Sequence, residues 1–134
     1  MLQTWAQRCG EQGEAAAARW LKRHKGYRIS ARNWRHGRDE IDLICRDGVF
    51  LVFIEVKTRG EAPMIPGYAS VTFRKKAALR RAAKSYLRGL RTPPKYFRFD
   101  IVEVRIMEAG GFKVCHYENV LLFSKYFHVD DAAS

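Results

Sequence analysis

Two carboxylates and an amine stand in neighbouring strand-like segments: Asp42 within Glu40-Ile41-Asp42-Leu43-Ile44, and Glu55 with Lys57 at the close of the run Val49 to Lys57. Asp47-Gly48 between the segments reads as a two-residue hairpin turn. With those turn residues, Arg46 faces Val49, Ile44 faces Leu51, Asp42 faces Phe53 and Glu40 faces Glu55. Opposed residues share a face and side chains alternate along a strand, so Glu40, Asp42, Glu55 and Lys57 are expected on one side, Asp42 and Glu55 as diagonal neighbours. Carboxylates that close repel, and in a half-buried setting their pKa values rise unless a cation is present. A divalent ion resolves the conflict, and Mg²⁺ takes one or two carboxylates together with water and substrate phosphate. Lys57 shares the face, where its ammonium could orient a water or hold a phosphate oxygen. The chemistry implied is metal-assisted hydrolysis of a phosphodiester.

A surface cluster of salt bridges would use the same residue types, and E-x-K alone is common in strands. What separates the two readings is the stretch Val49-Phe50-Leu51-Val52-Phe53-Ile54, too apolar for an exposed sheet edge. Charges that end a buried strand need a reason.

The elements that must position these residues follow from pattern. Glu11 to about His24, rich in Ala, Leu, Glu and Arg and ending before Gly26, predicts a helix with Ala17, Ala18 and Leu21 buried. Strands are predicted over Tyr27 to Asn33, Glu40 to Arg46 and Val49 to Lys57. Arg59 to Tyr68, with Pro63 and Pro66, reads as a loop. Thr72 is the expected N-cap of a second helix reaching Arg88, which packs through Leu79, Ala82, Ala83, Tyr86 and Leu87. Phe97 to Ile106 and Phe112 to Glu118 are strands joined across Gly110-Gly111, followed by a short terminal helix and a frayed tail over 129–134. The order is α-β-β-β-α-β-β within one domain, without repeat or linker.

Bulk properties agree with a polyanion partner. In 134 residues, 25 Lys and Arg outnumber 14 Asp and Glu, for a formal charge of +11, which attracts phosphate backbones by long-range steering and counterion release. A solubilising surface is the bland alternative. No run approaches a membrane span and the start lacks a secretory pattern, so the expectation is a cytoplasmic protein without membrane contact. Cys9, Cys45 and Cys115 are odd in number and never C-x-x-C, against both a disulfide framework and structural zinc. The four histidines lack ligand spacing and are read as structural or surface residues.

Asp42 followed by Glu55-Val56-Lys57 resembles the D...(D/E)-x-K signature of the restriction-endonuclease-like superfamily. More narrowly, Gly13-Glu14, Asn33-Trp34-Arg35, Glu40-Ile41-Asp42-Leu43-Ile44, Val52 to Arg59, Lys75 and Arg98-Phe99-Asp100 resemble the YraN-like bacterial family, similar to archaeal Holliday-junction resolvases. That resemblance implies an α/β fold with an αβββαβ core, a mixed central sheet flanked by helices, and Mg²⁺ (or Mn²⁺) held by Asp42, Glu55 and the Val56 carbonyl. It gives Lys57 a part in hydrolysis and Glu14 the place of the first-helix acid. Glu14 also lies three, four and seven residues before Ala17, Ala18 and Leu21, on the packing side, although an acid favoured by the helix dipole would sit there too. Asp39 stands where the family has glycine, and Ile41 where the wider signature has proline. Glu40 is left as a neighbour of the metal site or a salt-bridge partner, and Asp100 as a partner for a buried backbone group or arginine.

For nucleic acid, Arg74, Arg80, Arg81, Lys84 and Arg88 gather on the side of the second helix away from Leu79, a stripe that an ordinary charged helix face would also give. Lys75 falls on the apolar side near the helix start, where it could reach the same phosphate as the metal. Arg35 and Arg59 complete the candidate phosphate contacts, with Lys75, Arg80 and Lys84. Trp34 could stack a base or anchor packing. The resulting expectation is a metal-dependent endonuclease for structured or branched DNA, homodimeric if the resolvase analogy holds. The alternative is a nucleic-acid-binding module with this fold and little or no turnover.

Overall fold

The computed structural model describes residues 3–60 and 73–120. Helix α1 spans Trp5–Trp20 and runs on through a wider π-type turn, Leu21–Lys25, into left-handed Gly26. It begins six residues before the predicted start because Thr4 and Gln7 form a capping box, each side chain bonding the other's backbone amide. Strands β1 (Arg28–His36), β2 (Asp39–Asp47) and β3 (Phe50–Arg59) follow, then α2 (Phe73–Arg88), β4 (Tyr96–Ile106) and β5 (Phe112–Tyr117). Gly110 and Gly111 take the positive φ that the β4–β5 turn demands. The N-cap expected at Thr72, most of the loop expected from Arg59 to Tyr68, the terminal helix and the tail lie outside the described residues.

The sheet is mixed, ordered β1-β2-β3-β4-β5, with β3 and β4 parallel and the other pairs antiparallel. The parallel pair follows from α2 standing between β3 and β4 in the chain, since a tight hairpin can only join antiparallel strands. One face packs Leu79, Ala82, Ala83 and Leu87 of α2 on Ile41, Ile44, Leu51, Phe53, Phe99 and Ile101; the other packs Ala17, Ala18 and Leu21 of α1 on Leu43, Cys45, Val52, Ile54, Val102 and Val104. With both faces covered, β3 has to be apolar throughout, as its sequence is. Cys45 is buried and Cys115 partly so; all three thiols are free. No helix among the described residues is long and apolar enough to cross a membrane.

The hairpin register differs from the expected one. Asp47 pairs with Phe50, Ile44 with Phe53 and Leu43 with Ile54, so the turn residues are Gly48 and Val49. Gly48 takes φ +57, while Val49 is left 65% exposed. A glycine first in the turn suits a left-handed residue there, which the Asp-Gly reading put one place later. The slip is an even number of positions along the ladder, so by itself it moves no side chain to the other face, and the register carried one pair further brings Asp42 level with Glu55.

Candidate metal centre

Strands β2 and β3 stop exchanging backbone hydrogen bonds beyond Leu43–Ile54, and a side chain takes over: Asp42 Oδ2 accepts from the Val56 amide at 2.8 Å. In extended backbone a residue's N–H and C=O leave the strand on the same side, so the Val56 carbonyl also faces Asp42. Glu55, 4% exposed, points to the α2 face, where Lys57 Nζ lies 3.6 Å and Lys75 Nζ 3.4 Å from its Oε1. Lys75 is placed there because Leu79, one helical turn on, is anchored in the core. Glu55 Oε2 is buried without a hydrogen-bond partner. Burial, then the charge of Glu55, push the Asp42 carboxyl up to about 8, against the lowering effect of the Val56 amide; Glu14 adds a further raising charge.

Glu14 comes to the site because Gly13 lets α1 approach β3: a Cβ built on Gly13 would lie 2.0 Å from Thr58 Oγ1. Its carboxyl is raised by burial and by the charge of Glu40, against a hydrogen bond from Asn33. The Asn33 amide, oriented to donate, bridges Glu14 Oε2 at 2.9 Å and Glu40 Oε1 at 3.2 Å. Asn33 is left-handed, φ +49, in mid-strand and level with Asp42 between the pairs Arg32–Leu43 and Trp34–Ile41. Such a conformation is uncommon for a residue other than glycine, and asparagine tolerates it best.

This kink corrects one expectation. Ile41 and Ile44, three apart, both pack beneath α2, so β2 changes the face it presents between them. Glu40 therefore does not share the face of Glu55 and Lys57; it stands with Glu14, Asn33 and Arg35, whose Nη2 lies 3.6 Å from Glu40 Oε2. The converging set is Asp42, Glu55, Lys57 and Lys75, with Glu14 alongside. Among the described residues no three His, Cys, Asp or Glu side chains are grouped to hold an ion by themselves. An ion here would draw on Asp42, Glu55 and the Val56 carbonyl, and the donors fit: two oxygen-bearing acids side by side, one oxygen unpartnered, one carboxyl forced upward by burial and by its neighbour's charge.

Of the other predicted residues, Arg59 turns to Glu103, its Nε 3.7 Å from Oε2, while Arg80 and Lys84 lie partly buried along α2. Asp39 forms a two-pronged pair with Arg81, both contacts 3.1 Å, which draws its carboxyl below the usual range and away from the site. Trp34 packs edge-on against Tyr86 and stacks on His36, which makes it an anchor of the α2 core. Sequence reasoning passed over the role of Asn33, although an asparagine beside the Asp42 strand was the available signal. It also passed over Glu103, an acid inside Ile101-Val102-Glu103-Val104.

A mixed sheet of this order, entered by one helix and crossed by a second between β3 and its parallel neighbour, makes the chain a restriction-endonuclease-like α/β domain. It belongs to the family described as Uncharacterised protein family UPF0102, the YraN-like family, whose pattern matches residues 13–104. The chain is 52% identical over 100 residues to a UPF0102 protein of Symbiobacterium thermophilum, covering 74% of this chain and 83% of that one. It is 47% identical over 122 residues to one of Chlorobaculum parvum, covering 91% and 94%. Among solved structures, Pyrococcus furiosus SfsA in complex with Ca²⁺ aligns with a TM-score of 0.41 at 13% identity, over 84% of this chain and 63% of that one.

Proposed function

We propose that the domain is a Mg²⁺- or Mn²⁺-dependent endonuclease acting on structured or branched DNA. The observation that carries this reading is the pairing of partly buried Asp42 with buried Glu55, which has one unpartnered oxygen and two lysines against it. Asp42, Glu55 and the Val56 carbonyl would hold the ion, which when bound supplies a Lewis acid and lowers the pKa of a coordinated water. Lys57 keeps an ammonium beside Glu55, placed to hold the attacking water or a phosphate oxygen. Lys75 brings a second positive charge from α2 to the same carboxylate, so a phosphate there meets two cations. Glu14, raised and half-buried, adds an acceptor on the α1 side. The formal charge of +11 favours encounter with the polyanion.

Incubation of the full chain with a labelled four-way junction and a matched duplex tests this. Cleavage should require Mg²⁺ or Mn²⁺, be lost to chelation, and fall at least about a hundredfold in Asp42→Ala while binding is retained. The same assay addresses the alternative of a binding module, which the lack of a ready-made group of three metal-binding side chains among the described residues favours. That alternative predicts binding without metal-dependent cleavage. A homodimer, if present, will appear in sedimentation of the free protein.

A further inference from the structure

Beyond Lys57 the sheet carries a row of cations that the proposed chemistry does not use. Arg59 is level with Arg105 across the parallel β3–β4 pair, and Arg105 is level with Lys113 across β4–β5. Level residues share a face, so the three stand side by side, about 4.8 Å apart per strand, on the face that bears Glu55 and Lys57. Their neighbours Val104 and Val114 confirm the alternation by packing on the α1 side. Like charges directly opposed destabilise a sheet, and three in line compound the cost.

One acid moderates the row. Glu103, fully buried, is level with Lys57; Arg105 Nε donates to its Oε1 at 2.7 Å, and Arg59 Nε lies 3.7 Å from its Oε2. Only Arg105 is hydrogen-bonded, through Nε, which leaves the end-on fork of Nη nitrogens that grips phosphate off the edge that donates to Oε1; Arg59 Nε and Glu103 Oε2 are buried without a hydrogen-bond partner, so Arg59 is drawn in by charge alone. The Arg59 and Arg105 side chains are 25% and 15% exposed, partly out of water yet reachable. Among the described residues Lys57 has Glu55 beside it and Arg59 and Arg105 share Glu103, which leaves positive charge in excess along the row, and a bound anion would relieve it.

We propose that Arg59, Arg105 and Lys113 form a phosphate-binding row that holds the nucleic-acid backbone beyond the metal centre, with Glu103 as the positioning residue that fixes the Arg105 guanidinium. The assignment rests on the nucleic-acid reading above. Two-residue steps of about 6.6 Å put the row roughly 13 Å past Glu55 along β3, a span that a substrate strand covers within a few nucleotides. Arg59 also lines, with Glu14, Val56 and Thr58, one cleft of about 530 Å³ that has Glu108 on its wall.

Fluorescence anisotropy of a labelled DNA duplex, measured with the full chain in EDTA over a series of salt concentrations, tests the row without requiring cleavage. Arg105→Gln and Lys113→Gln should each reduce the slope of log affinity against log salt by about 1. Arg105→Gln should weaken binding about tenfold at fixed salt. Arg28→Gln removes the same charge from β1 and should change the slope little. Glu103→Gln separates positioning from plain attraction: it adds a net positive charge, so attraction alone would tighten binding, whereas loss of the fixed Arg105 guanidinium loosens it. Lys113 is exposed, so its variant tests the row even if the substitutions at Arg105 and Glu103 disturb folding. Binding by Arg105→Gln and Lys113→Gln indistinguishable from Arg28→Gln overturns the row, and tighter binding by Glu103→Gln overturns the positioning role. A wild-type chain that binds no DNA at any salt removes the row and the nuclease reading together; the expected slopes without any Mg²⁺-dependent cleavage leave the row standing and remove only the catalytic reading.

Discussion

Asp100 and Glu55 sit one rung apart in the parallel β3–β4 pair, Asp100 level with Ile54 and Glu55 level with Ile101, and so on opposite faces of one sheet. Both are withdrawn from water, at 0% and 4% exposure. On the α1 face Asp100 is fully served. Arg98 Nε donates to it at 3.1 Å, the Asn119 amide at 2.9 Å, and His116 Nε2 lies 2.8 Å away. Arg98 in turn bonds Asp47 and the Tyr27 hydroxyl and lies over the Phe50 ring. Burial pushes the Asp100 carboxyl up, but His116, the Asn119 amide and Arg98 together overcome it and hold it below its ordinary value. On the other face Asp42 receives one amide and is pushed up to about 8 beside Glu55. Burial therefore does not set the two acids apart; the completeness of their partners does. A filled donor set closes the fold, whereas two acids sharing too few donors are the pair on which the proposed metal site rests.

The comparison breaks most directly by removing each acid. Asp100→Ala leaves Arg98 and His116 buried without their anion and should cost about 3–5 kcal/mol in urea unfolding. Asp42→Asn, measured without metal at pH 8, should be neutral or stabilising, because it removes a charge the fold disfavours. The pH dependence sharpens this. A carboxyl raised from 3.8 to about 8 on folding binds more protons folded than unfolded, so its contribution to stability falls as pH rises between those values. Metal-free protein should thus lose up to a few kcal/mol from pH 4 to 8 through Asp42, and Asp42→Asn should flatten that slope. Asp100 has the opposite sign: its contribution is present above about 4 and is lost as pH falls through its depressed folded value. Thermal melts in EDTA across pH read both. A metal-free stability that rises towards pH 8 and is unchanged by Asp42→Asn would show that the two acids do not differ as described.

Much of this arrangement was legible in the chain. The apolar run into Glu55, the Asp-Gly turn and the paired glycines at 110 and 111 are local signals, and they locate β3 and both hairpins within a residue or two. The hairpin register was misread, yet Asp42 and Glu55 still came out on adjoining strands and one face, because a slip by an even number of places preserves side-chain parity. Glu40 was misplaced for a reason no periodicity contains: the left-handed Asn33 turns β2 as well as β1, and its amide is bonded to Glu14 from a distant helix. The early start of α1 was written in Thr4 and Gln7, but Gly10 and Gly13 weigh against helix there. Gly13 is kept in spite of its propensity because of what it faces.

That contact gives the last and smallest test, of how closely α1 must approach for Asp42 and Glu55 to keep Glu14 beside them. Gly13 is buried, and a methyl group there would meet Thr58 Oγ1 at 2.0 Å with Thr58 Cβ and Cγ2 at 2.9 Å. Alanine normally favours a helix over glycine by about 1 kcal/mol, so propensity alone predicts stabilisation. Overpacking against a strand costs about 1–3 kcal/mol and should win, leaving Gly13→Ala destabilised by up to about 2 kcal/mol. Thr58→Ala removes Oγ1 and Cγ2, so in Gly13→Ala/Thr58→Ala the combined cost should fall below the sum of the single costs, a coupling that a double-mutant cycle in urea measures. Additive costs would mean that helix and strand yield independently, and that Glu14 is not held beside Val56 by this approach. A coupled pair ties the least helix-prone residue of α1 to the placement of Glu14, on the same face as the buried Val56 rung and opposite the saturated Asp100 cluster in character though not in position.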